Sequence, residues 1–135
     1  MFFEGCKDVY EKGLQLRKKV HGEEFVRRAM ESATDFNKDL QDLINGYVWG
    51  TIWARPGLDL KTRSLITIAM LIPQSRPEEL KLHIRAALRN GVTEAELKEL
   101  LIHATVYCGY PAVLDAFRVA QEVINEFKRE QKSQQ

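Results

Sequence analysis

The chain has 135 residues, enough for one domain with a real hydrophobic core and too few for a second of ordinary size. Twenty Lys and Arg against nineteen Asp and Glu leave a net charge of +1, without the basic excess of a phosphate-backbone binder, so no nucleic-acid partner is expected. Cys6 and Cys108 lie far apart and form neither a C-x-x-C pair nor a zinc-type cluster, which argues against a disulfide scaffold or a metal-dependent fold and predicts free thiols in a reducing cytoplasm. The opening residues M-F-F-E-G-C-K-D lack the basic and apolar regions of a secretory signal. The longest apolar run, Leu65 to Ile72, is interrupted by Thr67 and falls well short of the ~20 residues that span a bilayer, so a soluble, cytoplasmic protein without a membrane partner is expected.

In chain order, Val9, Leu14, Leu16 and Val20 among charges predict a helix from about Glu4 to Val20, weakened by Gly5 and Gly13 and ended by His21-Gly22. A short helix follows over Glu23 to Ser32. Asp35 reads as the N-cap of a third, in which Phe36, Leu40, Leu43, Ile44 and Val48 recur at helical spacing toward Trp49 and Trp53. Arg55-Pro56-Gly57 breaks the helix, because Pro56 disfavours helical geometry at Arg55 and Gly57 frees the backbone.

Asp59 reads as the cap of the next helix, which is apolar on nearly every side through Leu65, Ile66, Ile68, Ala69, Met70, Leu71 and Ile72 and is therefore expected to be buried centrally, by its own domain or by a partner subunit. Pro73 and Pro77 bracket a corner. Beyond it Glu78 to Asn90 predicts a helix with Leu80, Ile84, Ala87 and Leu88 inward and Gly91 at the position after the C-cap. Thr93-Glu94-Ala95-Glu96 fits a capping box that starts a helix packing Leu97, Leu100, Leu101 and Ala104 and ending near Cys108-Gly109. Tyr110-Pro111 opens the last helix, with Val113, Phe117, Ala120, Ile124 and Phe127 on the packed side and a tail from Lys128 expected to fray. The expected fold is all-α, a single domain over residues 1–135 built of six or seven helices with short connections.

Six ionisable residues, Arg55, Arg63, Arg76, Glu79, His83 and Arg85, interleave with the most apolar stretch of the chain, the pattern of a pocket walled by helices. His83 stands on a helix between the apolar residues Leu80 and Ala87 and the charged pair Arg76 and Glu79, which suits a general acid or base. It suits equally a boundary histidine that only forms hydrogen bonds, and the residues alone leave both readings open. The planar fork of arginine matches a carboxylate, so four arginines around one pocket point to an anionic ligand, against the alternative of a solvated face paired with Asp59, Glu78 or Glu79. Trp49, Trp53 and Tyr107 read as core or interface aromatics or as the walls of a substrate site. His21 at a helix end and His103 at the edge of an apolar face read as structural. No metal-ligand spacing, phosphate-binding Gly loop or nucleophile elbow is present.

The segments W-G-T-I-W-A-R-P-G-L (Trp49 to Leu58), T-R-S-L-I-T-I-A-M-L (Thr62 to Leu71), L-H-I-R-A-A-L-R-N-G-V-T (Leu82 to Thr93) and Y-C-G-Y-P-A (Tyr107 to Ala112) resemble γ-carboxymuconolactone decarboxylase, and the likeness extends upstream through Gly13 to Gly22 and Asp35 to Asn37. The resemblance implies an alkylhydroperoxidase D-like bundle assembled as a homo-oligomer, typically a hexamer built as a trimer of dimers. In the thiol-active branch of that superfamily two cysteines precede the histidine; counting from His83 and Gly91, their places hold Arg76 and Glu79 here, and Ser64 replaces a glutamate, so thiol-dependent peroxide chemistry is not expected. Where the decarboxylases usually read A-L-N-R this chain has Pro73-Gln74-Ser75-Arg76, which leaves the exact lactone open.

The implied reaction converts 4-carboxymuconolactone to β-ketoadipate enol-lactone and CO₂ in the breakdown of protocatechuate. The departing carboxylate is conjugated through a ring double bond to the lactone carbonyl, so the substrate supplies its own electron sink and no cofactor is expected. The resemblance then gives His83, tuned by Glu79 and with Arg76 beside it, the role of proton donor or oxyanion partner. Two or more of Arg55, Arg63, Arg76 and Arg85 would hold carboxylates, with Trp49, Trp53 and Tyr107 excluding water.

Overall fold

The computed structural model describes residues 5–134, and every regular element among them is helical. The chain divides into two compact units, residues 1–59 and residues 60–135.

The first unit contains α1 (Lys7–His21), α2 (Glu23–Glu31), α3 (Lys38–Leu43) and a ten-residue π-helical segment (Ile44–Trp53) that continues α3. The expected start of α1 at Glu4 lies outside the described residues. Gly13 is no weakness in α1. The π-segment crosses there so closely that a Cβ on Gly13 would run into the carbonyl oxygen of Asn45 and come within 2.8 Å of the Gly50 Cα, and a Cβ on Gly50 would meet the carbonyl oxygen of Val9. Beside the crossing Arg17, 5% exposed, donates from Nη1 to Gln41 Oε1 and to Asn45 Oδ1, both at 2.9 Å, while fully buried Asn45 donates from Nδ2 to the Tyr10 hydroxyl at 3.2 Å. Burial lowers the pKa of Arg17. Neutral amide partners compensate the guanidinium here in place of a carboxylate.

Two expectations for this unit need correction. Asp35 is not the cap of α3: Asn37 occupies that position, with its side chain accepting from the Thr34 backbone N–H at 2.7 Å, and Asp35 lies in the preceding turn. The apolar series at helical spacing is mostly not buried either, since Phe36 is 98% exposed and Leu40, Leu43 and Val48 are also exposed, with Ile44 half-buried.

The second unit contains α4 (Leu60–Leu71), a 3₁₀ turn (Ile72–Gln74), α5 (Pro77–Arg89), α6 (Glu94–Cys108) and α7 (Tyr110–Ser133). Its core joins Ile68 and Ile72, Leu80, Ile84 and Ala87 of α5, Leu97, Leu101 and Ala104 of α6, and Val113, Ala116, Ala120 and Val123 of α7. The α5–α6 connection follows the sequence closely. Gly91, at φ 96°, lets its own N–H reach the Leu88 carbonyl and that of Val92 reach Ala87, and Thr93 and Glu96 form the reciprocal capping box at 3.0 Å each way. Ion pairs from Lys81 to Glu122 (2.9 Å) and Arg85 to Glu130 (3.1 Å) show α5 and α7 running in the same direction, with α6 returning between them in sequence.

The central helix α4 is not hidden on every side: Ser64 and Ile68 are buried, but Ile66 and Met70 are exposed. The far end of α7 remains helical through Ser133, beyond the Lys128 boundary at which its polar composition predicts fraying; Lys128 pairs with Glu94 at 3.1 Å and Glu130 with Arg85.

The Gly13 crossing gives a prediction of unusual sign. Alanine in mid-helix ordinarily stabilises relative to glycine by up to ~1 kcal/mol, whereas Gly13→Ala is expected to cost ~2 kcal/mol or more through backbone overlap. Urea unfolding followed by tryptophan fluorescence tests this, since Trp49 and Trp53 both lie in the first unit; an unchanged or higher midpoint would refute the close crossing.

Candidate active site

His83 lies in the second turn of α5, on a helix fixed at one end by the Gly91 motif and along one side by Leu80, Ile84 and Ala87. It is half-buried. Burial lowers its pKa, and Glu79, one turn earlier, offsets part of that effect by favouring the charged ring. The ring is therefore mainly neutral at pH 7, with an exposed carboxylate beside it. That combination gives an imidazole able to donate a hydrogen bond at rest and to take up a proton when negative charge arrives.

The candidate arginines of the second unit stand on different elements. Arg85 follows it by two residues, about 200° around the helix, and reaches Glu130 of α7. Arg63 lies half-buried on α4, where its carbonyl accepts from the Thr67 hydroxyl at 2.8 Å. Arg76 occupies the N-cap position of α5 and lines a cavity of about 270 Å³ between the 3₁₀ turn, the start of α5 and the first turns of α7. The cavity lining includes neither Glu79 nor His83, but it does include Asp115 and Arg118. Sequence reasoning passed over those two residues. Their signal lies in α7, where Ala112, Ala116 and Val119 recur at close-packing intervals and Asp115 and Arg118 border that face.

The aromatic candidates are divided between the two units. In the first unit Trp49 and Trp53 are buried, with ring centroids 4.4 Å apart, and His21 meets Trp49 edge-on at 5.2 Å. The π geometry explains the pairing, because i→i+5 bonding lengthens the turn beyond four residues and brings positions i and i+4 nearly into line. Arg55, exposed, follows this segment in the same unit. Tyr107 is 76% exposed and stacks with His103 at 5.2 Å on the outer face of α6. Both line an open, mainly apolar groove of about 550 Å³ together with Ala69, Glu99, Ile102 and Cys108. Cys6 and Cys108 are free thiols.

Among the described residues no group of three His, Cys, Asp or Glu side chains is placed to hold a metal ion, and no helix is long and apolar enough to cross a membrane. The class of protein is thus an all-helical one that sets a half-buried histidine–glutamate pair on one helix and an arginine-lined cavity at that helix's start. The sequence profile of the Carboxymuconolactone decarboxylase family matches residues 38–122, and the chain belongs to that family. It is 47% identical over 117 residues to a 4-carboxymuconolactone decarboxylase of Acinetobacter baylyi, covering 87% of each chain. It is also 47% identical over 118 residues to a nitrosuccinic acid decarboxylase of Metarhizium robertsii, covering 87% of this chain and 82% of the relative. A 15.0 kDa protein of Paracoccus denitrificans shares 34% identity over 108 residues, 77% of each chain.

The lowered pKa of His83 links its protonation to stability. The unfolded imidazole titrates near 6.5 and binds protons more readily than the folded one, so the stabilising contribution is present above about pH 6.5 and is lost as pH falls through the lower folded value. Thermal melts at pH 7.5 and 5.5 are expected to show a loss of Tm on acidification that is smaller in His83→Gln than in the parent protein. An equal loss in both would disprove the burial of this ring.

Proposed function

We propose that the protein is a decarboxylase that removes CO₂ from 4-carboxymuconolactone without a cofactor, acting as a cytoplasmic homo-oligomer in the breakdown of aromatic acids. The observation that carries this reading is the 47% identity, over 87% of both chains, to the Acinetobacter baylyi enzyme of that name. The surroundings of His83 support it chemically. The bond between the substrate carbon and its carboxylate breaks, CO₂ leaves, and the electron pair passes through the ring double bond into the lactone carbonyl as a dienolate. A proton then returns to carbon.

His83 is the donor of that proton. It rests neutral because burial disfavours its charge, and a dianionic substrate shifts it toward the imidazolium that Glu79 already favours. Arg63, on the helix packed beside α5, and Arg76 anchor carboxylates. Arg85 is engaged by Glu130 and stays outside this set. Positioned general acids contribute roughly 10²- to 10⁴-fold, so His83→Ala is expected to lower kcat at least 100-fold in an ultraviolet assay of lactone turnover, while methylation of the thiols leaves turnover in place. Near-normal turnover by a folded His83→Ala protein would remove the residue from the mechanism.

A second substrate has equal support from identity, since the Metarhizium robertsii relative is named for nitrosuccinic acid. A nitro group is an electron sink of the same kind as a conjugated carbonyl. Turnover of nitrosuccinate but not of the lactone would preserve the chemistry and change the substrate.

Self-association is supported by the outer face of α6. Leu97, Leu101 and Ala104 fill the core, yet Ile102, Val106, Tyr107 and, after it, Tyr110 stand 53–77% exposed at helical spacing, with Ile66 and Met70 of α4 also exposed. A helix apolar all round is buried on both sides, and a second copy of the same chain meets that requirement by presenting the same face. Val106→Glu is expected to shift the mass measured by light scattering toward smaller species. An unchanged assembly would exclude this face from the interface.

A further inference from the structure

On the decarboxylase reading, which this inference rests on, the substrate keeps one carboxylate after CO₂ departs, and that group needs a cationic seat with apolar walls for the carbon frame beside it. Three separate features of the second unit meet at one corner. Ser75 adopts φ 54° and ψ 50°, the only non-glycine residue at positive φ among the described residues, a conformation that persists where the surroundings require it. The side chain of its neighbour Arg76 makes no hydrogen bond or ion pair among the described residues, although exposed acids stand close by in sequence at Glu78 and Glu79. Both residues line the cavity of about 270 Å³, which is otherwise walled largely by side chains such as Leu71, Leu80 and Val119.

Arg118 completes the arrangement from α7. It lines the same cavity, and among the described residues its guanidinium has one hydrogen-bonding partner, Asp115, reached through a single contact at 3.4 Å between groups 70% and 77% exposed. Such a contact is weak and readily exchanged for a better acceptor. Asp115 has a further effect, since its charge disfavours a second anionic group at this end and so selects a ligand with a single carboxylate here. Along α5, Arg76 precedes His83 by seven residues, about two turns and ~10 Å, with Leu80 between them near the same stripe. A small acid bound at the corner would extend its frame along Leu80 toward His83.

We infer that this corner is the seat of the carboxylate the product retains, gripped by Arg76 and Arg118, and that Arg118 is a specificity-determining residue. Two guanidinium forks on one carboxylate give charge-assisted hydrogen bonds with directional selectivity that a single lysine would not supply.

The test combines steady-state kinetics on 4-carboxymuconolactone with calorimetric titration of succinate as a probe of the cavity, using the full chain and its Arg118→Gln, Arg118→Lys and Arg76→Gln variants. Arg118→Gln is expected to raise KM about tenfold or more while kcat changes little, as loss of a hydrogen-bonded charge contact from binding alone predicts. Arg118→Lys should recover part of the loss. Succinate should compete with the lactone and bind at least about tenfold more weakly to each glutamine variant. If the parent protein turns over the lactone while Arg118→Gln, shown folded by circular dichroism, leaves KM unchanged, the inference is overturned. If the parent protein turns over no lactone but binds succinate through both arginines, the decarboxylase reading fails and the carboxylate seat stands. Succinate binding that is absent, or indifferent to both arginines, overturns the seat whatever the turnover.

Discussion

The second unit depends on the grip on α5. Leu80, Ile84 and Ala87 form one stripe of that helix and enter a core shared with α4, α6 and α7, so α5 can neither rotate nor slide without opening several packed surfaces at once. The Gly91 turn and the Thr93–Glu96 capping box hold its far end, and ion pairs from Lys81 and Arg85 tie its outer side to α7. His83 and Glu79 inherit their orientation from this restraint. A side chain on a loop would have to be ordered before it could act, whereas one on a packed helix is already placed.

The first unit solves a different problem with different means. Its two longest elements touch backbone to backbone at Gly13 and Gly50, and the space saved by the missing side chains brings Arg17 against Gln41 and Asn45. A buried guanidinium held by neutral amides is costly to disturb, because removal of either amide leaves charge in an apolar setting. The π-segment is part of the same solution. Its wide turn aligns Trp49 over Trp53 and places Asn45 beneath α1.

Family membership and the location of the charges bear together on the chemistry. A substrate with its own electron sink asks little of a protein beyond carboxylate recognition, exclusion of water and one proton, all of which side chains supply. The two relatives at 47% identity carry names with different substrates, so the scaffold is tied to loss of CO₂ more firmly than to one acid. Differences in substrate then fall to residues that border the reacting group, and the Pro73–Arg76 corner, with its strained Ser75, is where this chain invests conformational cost.

The sequence by itself determined what depends on neighbours within a few positions. The capping box at Thr93, the glycine stop at Gly91, proline at the start of α5 and the 3.6-residue periodicity of α5 and α7 all act over one or two turns, so these elements were legible from local chemistry, as were the family motifs. Tertiary structure decided what depends on residues far apart. Gly13 is a weak helix former until Gly50 is packed against it, and Arg17 is an ordinary surface arginine until Asn45 and Gln41 arrive. Arg85 and Arg76 are alike in sequence, yet one is drawn to Glu130 and the other lines a cavity that Arg118 also lines. Tyr107 left core, interface and pocket wall open in the sequence, and it stands exposed on a helix with more apolar surface than its own chain covers. Periodicity reports that a side chain prefers to leave water; it carries no information on which surface receives it.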